Sequence, residues 1–437
     1  MTTHNGEQRW QAVSLDLSRG VPELSCEPGY DGMRVVFFWK RIPLGHCQLA
    51  SAQLPLDRSQ VAAVAAQSIS TAAGDYIFED GFRSALPGSP PPAIEDPVAT
   101  LEALLSVERP IARLAMNLPV VGPKPRQRLT VAVCTHERPQ ELERCLTSIV
   151  ASAEPPDEIL VIDNAPQTND TYDVVARFPS VRYCYEPQPG LSAARNSAMA
   201  AAHCELIAFT DDDVVVHPDW TARLRRCFED PTVMVVTGLV LPAELETQAQ
   251  QIFENDFHFF HQGYRRRYFD ADYLTAARRR SAPVWEIGAG ANMAIRRRAF
   301  DLGYRFDTRL GPGVFGGCGE DSEFWYQILV DGWSCLYEPS GCVFHYHRRD
   351  VPALRNVVTQ YMRGHVAALI IQFRKYGHFA NLRRLVWELP AEYIILFLRS
   401  ITCGFPLGRR IMLRGWFGSF SGLRAAFFRG RSEIPAE

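Results

Sequence analysis

The stretch FTDDDVVVHPDW, residues 209–220, sets three aspartates directly behind the apolar run ELIAF. Two carboxylates about 4 Å apart repel by roughly 4 kcal/mol at an effective dielectric of about 20, so Asp211, Asp212 and Asp213 need compensation. Side chains alternate along a strand, which turns Asp211 and Asp213 one way and Asp212 the other. A divalent cation is the obvious counter-charge, because Mg2+ and Mn2+ prefer oxygen ligands and accept substrate phosphate beside them. A solvated acidic turn ahead of the helix PDWTARLRRCF accounts for the triplet alone equally well. Glu320–Asp321, in GEDSEFWYQIL, opens a predicted helix whose apolar face includes Phe324, Ile328 and Leu329. Negative charge is favoured at a helix N-terminus, so capping competes with chemistry there. His345 and His347, in VFHYHR, lie two apart, on one face if the segment is a strand, and imidazole can ligate Mn2+. Arg195, in PGLSAARNSA, starts a helix whose N–H groups also favour anions, or it forms a salt bridge that fixes the loop. Asn196 reads as a structural hydrogen-bonder. In GAGANMAIRR the glycines allow backbone to approach a ligand and Asn292 offers a polar contact, or the stretch is a tight turn before a strand.

These residues need a scaffold that gathers them. From about residue 128 to 346 apolar strands alternate with helices: RLTVAVCT, RPQELERCLTSIVAS, DEILVIDNA, TYDVVARF, VRYCYEP, LSAARNSAMAAAH, CELIAFTDDD. That alternation predicts βαβ units and a mostly parallel, Rossmann-like sheet covered on both faces. Ligands of such sheets bind beyond the carboxyl ends of the strands. Thr135, His136, Asp163, Asn164 and the three aspartates all fall at those ends, and this convergence is a stronger signal than any single motif.

The 437 residues exceed one compact core, and three regions are expected. Residues 1–125 read as an α+β accessory domain with MRVVFFWK and HCQLASAQLPL as strands, QVAAVAAQSISTAA as a helix, a proline-rich linker at 85–97, and no chemical site. Residues 126–348 are the α/β domain. Residues 349–437 read as a basic helical extension. Apolar residues make up 47% and charged residues 22%, as in ordinary globular proteins. Eleven scattered cysteines with no CxxC pair read as buried thiols such as Cys134 and Cys184, which excludes a disulfide scaffold. No run reaches the ~20 apolar residues of a membrane span, and the polar N-terminus lacks a signal-peptide core. A cytoplasmic location is the default expectation.

The ordered set AVCTHERP, VIDNA, PGLSAARNSA, FTDDD, GAGANMAIRR, GEDSEFWYQIL and VFHYHR resembles the inverting family 2 glycosyltransferases with a GT-A fold, over about half of the chain. The resemblance implies transfer of a sugar from a nucleotide-diphosphate donor, UDP-linked in expectation, to an acceptor hydroxyl. It also implies Mn2+ or Mg2+ as cofactor. Thr135 and Asp163, with Asn164 beside it, match positions that bind the nucleoside. His136 stands where many relatives carry an aromatic residue. Arg195 matches an arginine that approaches the nucleotide, and the GAGAN stretch lines the acceptor side of the donor sugar. The site so implied has Asp321 as base with Glu320 orienting it, Asp211, Asp213 and His345 at the metal, and Asp211, Asp212 and Asn292 on the donor.

Two other classes compete. A sugar-phosphate nucleotidyltransferase shares a nucleotide- and metal-binding α/β fold, but GEDSEFW and the lack of an early glycine-rich, lysine-containing loop speak against it. A non-catalytic binding module would not need both the acidic triplet and the Glu–Asp pair. The partners expected are a nucleotide sugar and a carbohydrate, lipid-linked or other hydroxyl acceptor, and nucleic acid is not among them. Residues 348–437 hold 15 Lys/Arg against 5 Asp/Glu, and GRRIMLRGWFGSFSGLRAAFFRGR alternates Arg with Trp, Phe and Leu. That mixture suits a helix lying in a membrane interface at the inner face, or helices packed on the catalytic domain with a solvated basic side.

Overall fold

The computed structural model describes residues 8–77, 127–257, 262–276, 281–404 and 406–426. The expected linker at 85–97 and the last expected basic residues, from 427 on, lie outside the described residues. The chain divides into two compact units. One comprises residues 1–126 with two short excursions, 242–248 and 263–265. The other holds the remaining chain, so the helices after residue 350 group with the α/β domain.

The first unit is a three-stranded sheet, β1 (Trp10–Asp16), β2 (Gly32–Trp39) and β3 (Ile42–Ala50). The β1–β2 pair is parallel and the β2–β3 pair antiparallel. β1 was not anticipated, because WQAVSLD is half polar and only partly buried. Helix α1 (Arg58–Ile77) packs on β3 so closely that a Cβ at Gly45 would meet the Ser68 carbonyl at 2.2 Å.

The second unit carries a nine-stranded sheet among its described residues. Its parallel half is the expected one: β4 (Leu129–Thr135), β5 (Glu158–Asn164), β6 (Val181–Glu186) and β7 (Leu206–Asp211), joined by α2 (Pro139–Val150), α3 (Asp170–Val175) and α4 (Leu191–Ala201). Branched apolar residues fill β4, which is buried throughout, as both-sided coverage demands. The other half corrects the expectation of a mostly parallel sheet. There lie β8 (Val214–Val216), β9 (Val233–Pro242), β10 (Arg267–Phe269), β11 (Asn292–Arg296) and β12 (Ser334–His345), in the order β10-β12-β9-β11-β7-β4-β5-β6 with β8 on β12. β11 runs antiparallel to both β7 and β9.

Register places the chemistry. Thr135 pairs with Asp163 across β4–β5, Cys134 with Asp211 across β4–β7, and Asn292 with Thr210 across β7–β11. His345 pairs with Val214 across β8–β12, which seats it beside the acidic triplet. Helix α5 (Trp220–Cys227) covers the sheet below this edge, with Trp220 fully buried. Helix α6 (Glu320–Val330) begins with the acidic pair and buries Phe324, Ile328 and Leu329.

After β12 come α7 (Val351–Tyr376), a short helical segment (Phe379–Arg383), α8 (Leu389–Cys403) and α9 (Leu407–Ala425). Gly415, Gly418 and Gly422 line the α9 face against α7; a Cβ at Gly418 would approach the Thr359 carbonyl to 2.4 Å and one at Gly422 the Arg363 carbonyl to 2.4 Å. Small residues at this spacing let two helices close on each other. α7 in turn packs on the loop before α6, where a Cβ at Gly364 would strike the Cys318 carbonyl at 1.5 Å. No described helix is long and apolar enough to cross a membrane.

Candidate active site

The strand β7 ends at Asp211, and the two residues after it form a turn. Asp211, Asp213 and His345 come together, with one potential ligand atom from each lying within 4.8 Å of the others. Asp212 turns away: its Oδ2 accepts from Thr135 Oγ1 at 2.8 Å and its Oδ1 from Arg138 Nη1 at 2.5 Å. The alternation expected from strand geometry therefore holds past the end of the strand. The cation is not the sole compensation for the three charges. Arg138 spans Asp212 and Asp213, reaching Asp213 Oδ2 at 2.9 Å, and Arg348 approaches Asp213 at 3.5 Å. Burial pushes the Asp212 carboxyl up to about 7 despite Arg138. Burial acts on Asp213 in the same direction, but His345, Arg138 and Arg348 overcome it and hold that carboxyl well below the usual range.

The residues present fit a hard divalent cation. They offer two carboxylates and one imidazole, and Asp213 Oδ1 is buried, meeting His345 Nε2 at 3.1 Å without a well-directed hydrogen bond. His347 does not join them. It is buried against the Phe253 ring at 4.4 Å and lies 3.4 Å from Glu254.

Arg195 lines the cavity and takes up the salt bridge that the sequence left open as an alternative. Its guanidinium is 2% exposed and is divided between Glu320 Oε1 at 2.8 Å and Asp211 Oδ1 at 3.4 Å. It is a buried strut between the acidic triplet and the N-terminus of α6. Gly290 lies over it, where a Cβ would fall 2.7 Å from Nη2, and Gly290 N–H donates to Asp321 Oδ2 at 3.0 Å. Asp321 Oδ1 accepts from Ser322 N at 2.6 Å, and Glu320 Oε2 from Gly319 N at 3.0 Å. Burial and the neighbouring Asp321 raise the Glu320 carboxyl, against Arg195. The GAGA stretch is thus a backbone bracket that orients Asp321, and only glycine fits over the guanidinium.

Asn292 corrects the expectation of a donor contact. It is fully buried; Oδ1 accepts from Trp220 Nε1 at 2.8 Å, and Nδ2 donates to Leu239 O at 3.0 Å and Gly341 O at 2.8 Å. That side chain ties β9, β11 and β12 together and has no atom left for a ligand. Asn164 is similarly engaged, holding the Gln188 carbonyl and the Gly190 N–H of the loop before α4. Asp163 is buried and accepts from Tyr183 Oη at 2.8 Å, while its Oδ1 has no hydrogen-bond partner. His136 is exposed beside them, with Nδ1 2.7 Å from the Asn164 carbonyl and its ring free to meet a planar group.

A cavity of about 580 Å³ lies against this edge. Arg195, Asp211, the segment 288–291, Glu320 and Asp321 line one side. The opposite wall comes from the C-terminal helices: Tyr361, Met362 and His365 of α7, Leu389, Tyr393 and Leu396 of α8, and Met412 of α9. Thr135, His136, Asp163 and Asn164 are not part of its lining. Arg138 and Arg348 escaped the sequence reading, and the C-terminal helices were read as basic helices without a place at this cavity. Arg138 stands three residues after Thr135 at the same strand end, a signal that could have found it; the wall residues had none.

The description Glycosyl transferase family 2 matches residues 130–303. Those residues are a family 2 glycosyltransferase domain. The match takes in the parallel half of the sheet, the acidic triplet and the segment 288–291, and it ends before α6. The chain is 27% identical over 228 residues to the succinoglycan biosynthesis protein ExoM of Rhizobium meliloti, a match covering 49% of this chain and 65% of that protein. It is 26% identical over 255 residues to the pre-mycofactocin glycosyltransferase of Mycobacterium tuberculosis, covering 56% and 49%. The chain thus spans just under two thirds of the first relative and about half of the second. Among solved structures it is similar to a mannosyltransferase from Pyrobaculum calidifontis in complex with GDP-Man and Mn2+, at 20% identity and TM-score 0.45, covering 72% of this chain and 91% of that one.

Proposed function

We propose that the protein transfers a sugar from a nucleotide-diphosphate donor, UDP-linked in our reading, to a hydroxyl of a carbohydrate or lipid-linked acceptor, with inversion. The observation that carries this is that Asp211 and Asp321, far apart in sequence, line one cavity and are joined through Arg195 and Glu320.

Asp321 is the base. Its carboxylate is fixed by the Gly290 and Ser322 N–H groups at the start of α6, facing the cavity into which an acceptor hydroxyl can enter. It takes the hydroxyl proton as that oxygen attacks the anomeric carbon and the bond to the diphosphate breaks, so one displacement inverts the centre. Arg195 keeps Glu320 and Asp211 at fixed separation, which holds donor and base in register. Asp211, Asp213 and His345 would hold a divalent cation, Mn2+ or Mg2+, which supplies positive charge to a diphosphate leaving group. Thr135, Asp163 and the exposed His136 form the strand-end edge that we assign to the nucleoside. The C-terminal wall belongs to the acceptor, and the partner we assign to residues 350–437 is an anionic membrane surface.

A donor screen that reads nucleoside diphosphate release, with mass spectrometry of the product, tests the reaction. Asp321→Asn is expected to bind nucleoside diphosphate as the wild type does and to lose about 10²–10⁴-fold in transfer. Transfer at the wild-type rate would remove Asp321 from its role, and release of pyrophosphate from a nucleoside triphosphate and a sugar phosphate would point to a nucleotidyltransferase instead.

A further inference from the structure

Helix α8 is apolar on both sides. Leu389, Tyr393 and Leu396, at helical spacing, face the cavity. On the opposite side Ile394 is 58% exposed and Ile401 59%, with Leu398 between them on the same stripe. Just before the helix, Trp387 is 72% exposed. A helix that is apolar all round is normally buried on all sides. Here nothing among the described residues covers the outer stripe, and contiguous exposed apolar surface marks interaction sites.

The neighbouring helix sets cations beside aromatic rings on its own outer face. α9 turns its glycines to α7 and presents Arg410, Arg414, Phe417, Phe420 and Arg424 along one outer face, all exposed, with Phe417 at 71%. Cations and aromatic rings sharing a single stripe fit a boundary between anionic headgroups and acyl chains. Acidic side chains do not neutralise it: Glu388 and Glu392 are held by Arg384 at 3.7 and 2.9 Å, and Asp350 caps α7. With 15 Lys/Arg against 5 Asp/Glu from residue 348 on, the complement is an anionic surface with an apolar interior. No described helix is long and apolar enough to cross a membrane.

We propose that the outer faces of α8 and α9 seat the protein on an anionic lipid bilayer, with α8 as the partition between the bilayer and the acceptor cavity. This deepens the transferase reading and rests on it only for the use made of the cavity: the acceptor is a membrane-borne amphipath whose hydroxyl reaches Asp321 past Leu396 and Tyr393.

The experiment is co-sedimentation of the full chain with phosphatidylcholine vesicles, with and without phosphatidylglycerol, alongside Ile394→Glu/Ile401→Glu and Arg410→Glu/Arg414→Glu. All four positions are solvent-exposed, so the folded state tolerates the charge, and melting temperature checks it. The wild type is expected to bind phosphatidylglycerol vesicles at least about tenfold better than phosphatidylcholine alone, and less well at high salt. Each double variant is expected to lose about tenfold or more, with nucleoside diphosphate binding unchanged. Quenching of tryptophan fluorescence by brominated lipid, lost in Trp387→Phe, gives a second readout. A wild type that stays in the supernatant, or variants that bind vesicles equally well, would overturn the proposal. Vesicle binding without any nucleoside diphosphate binding would leave the docking surface standing and remove the transferase reading instead.

Discussion

Two walls face each other across the cavity, and they are built on opposite principles. The sheet-edge wall is charged: Asp211 and Glu320 line it and share the buried Arg195, while the adjoining Asp212 and Asp213 meet Arg138. The helical wall is mostly apolar, with Met362, Leu389, Tyr393, Leu396 and Met412, and its polar members Arg384, Glu392 and His365 cluster together. Charged groups at fixed positions suit a reaction in which a proton and a diphosphate must be placed to fractions of an ångström. An apolar wall suits grip on a body without fixing its chemistry. The first wall should therefore break sharply when a single group is removed, and the second should yield gradually.

Arg195→Met puts the largest load on this contrast. It leaves Glu320 and Asp211 beside each other, and Glu320 buried, without their shared cation, and it is expected to cost about 3–5 kcal/mol of stability in denaturant unfolding. A loss below about 1 kcal/mol would mean that the charged wall is no more brittle than the apolar one. Asn292→Ala tests whether the rim depends on the core beneath it. Losing three buried hydrogen bonds should cost about 3 kcal/mol, while nucleoside diphosphate affinity, measured well below the melting point, stays the same. A selective loss of affinity would restore Asn292 to the donor site.

Glu323 lies behind the junction of the two walls, buried on α6 beside Gln327 and 4.0 Å from Lys375 of α7. Burial pushes its carboxyl from the ordinary 4.5 up to about 7, against the pull of Lys375. The folded state therefore favours the protonated acid. Stability on this account is full below about pH 4.5 and falls as pH rises toward 7, by roughly 3 kcal/mol in all. Glu323→Gln should flatten that fall, raising the melting temperature near pH 8 and leaving it nearly unchanged near pH 5. Parallel curves for the two proteins would show that the wall junction does not titrate.

The same contrast decides what was legible in the sequence. Strands β4 to β7 announce themselves by apolar runs, and Asp211, Asp163 and Thr135 by standing at the ends of those runs. Asp321 is visible as an acid at a helix start. Arg195 and Asn292 carry the right chemical types in the right motifs, yet the fold uses both for itself, because a buried charge or amide takes whatever partners the packed neighbours supply. The antiparallel half was hidden since pairing between β11 and β7 joins residues more than eighty positions apart. The helical wall was legible as basic amphipathic helix and no further: periodicity shows that a face is apolar, and only packing shows that one side of α8 meets a cavity and the other does not.

The account turns on Asp211, Asp213 and His345 holding a cation for a donor's diphosphate. The direct measurement is calorimetric titration of nucleoside diphosphate into the wild type and into Asp213→Asn, each with and without Mn2+. Mn2+ is expected to tighten binding to the wild type by at least about tenfold, about 1.4 kcal/mol, and to leave Asp213→Asn unchanged. Equal affinity with and without Mn2+ in the wild type would contradict it.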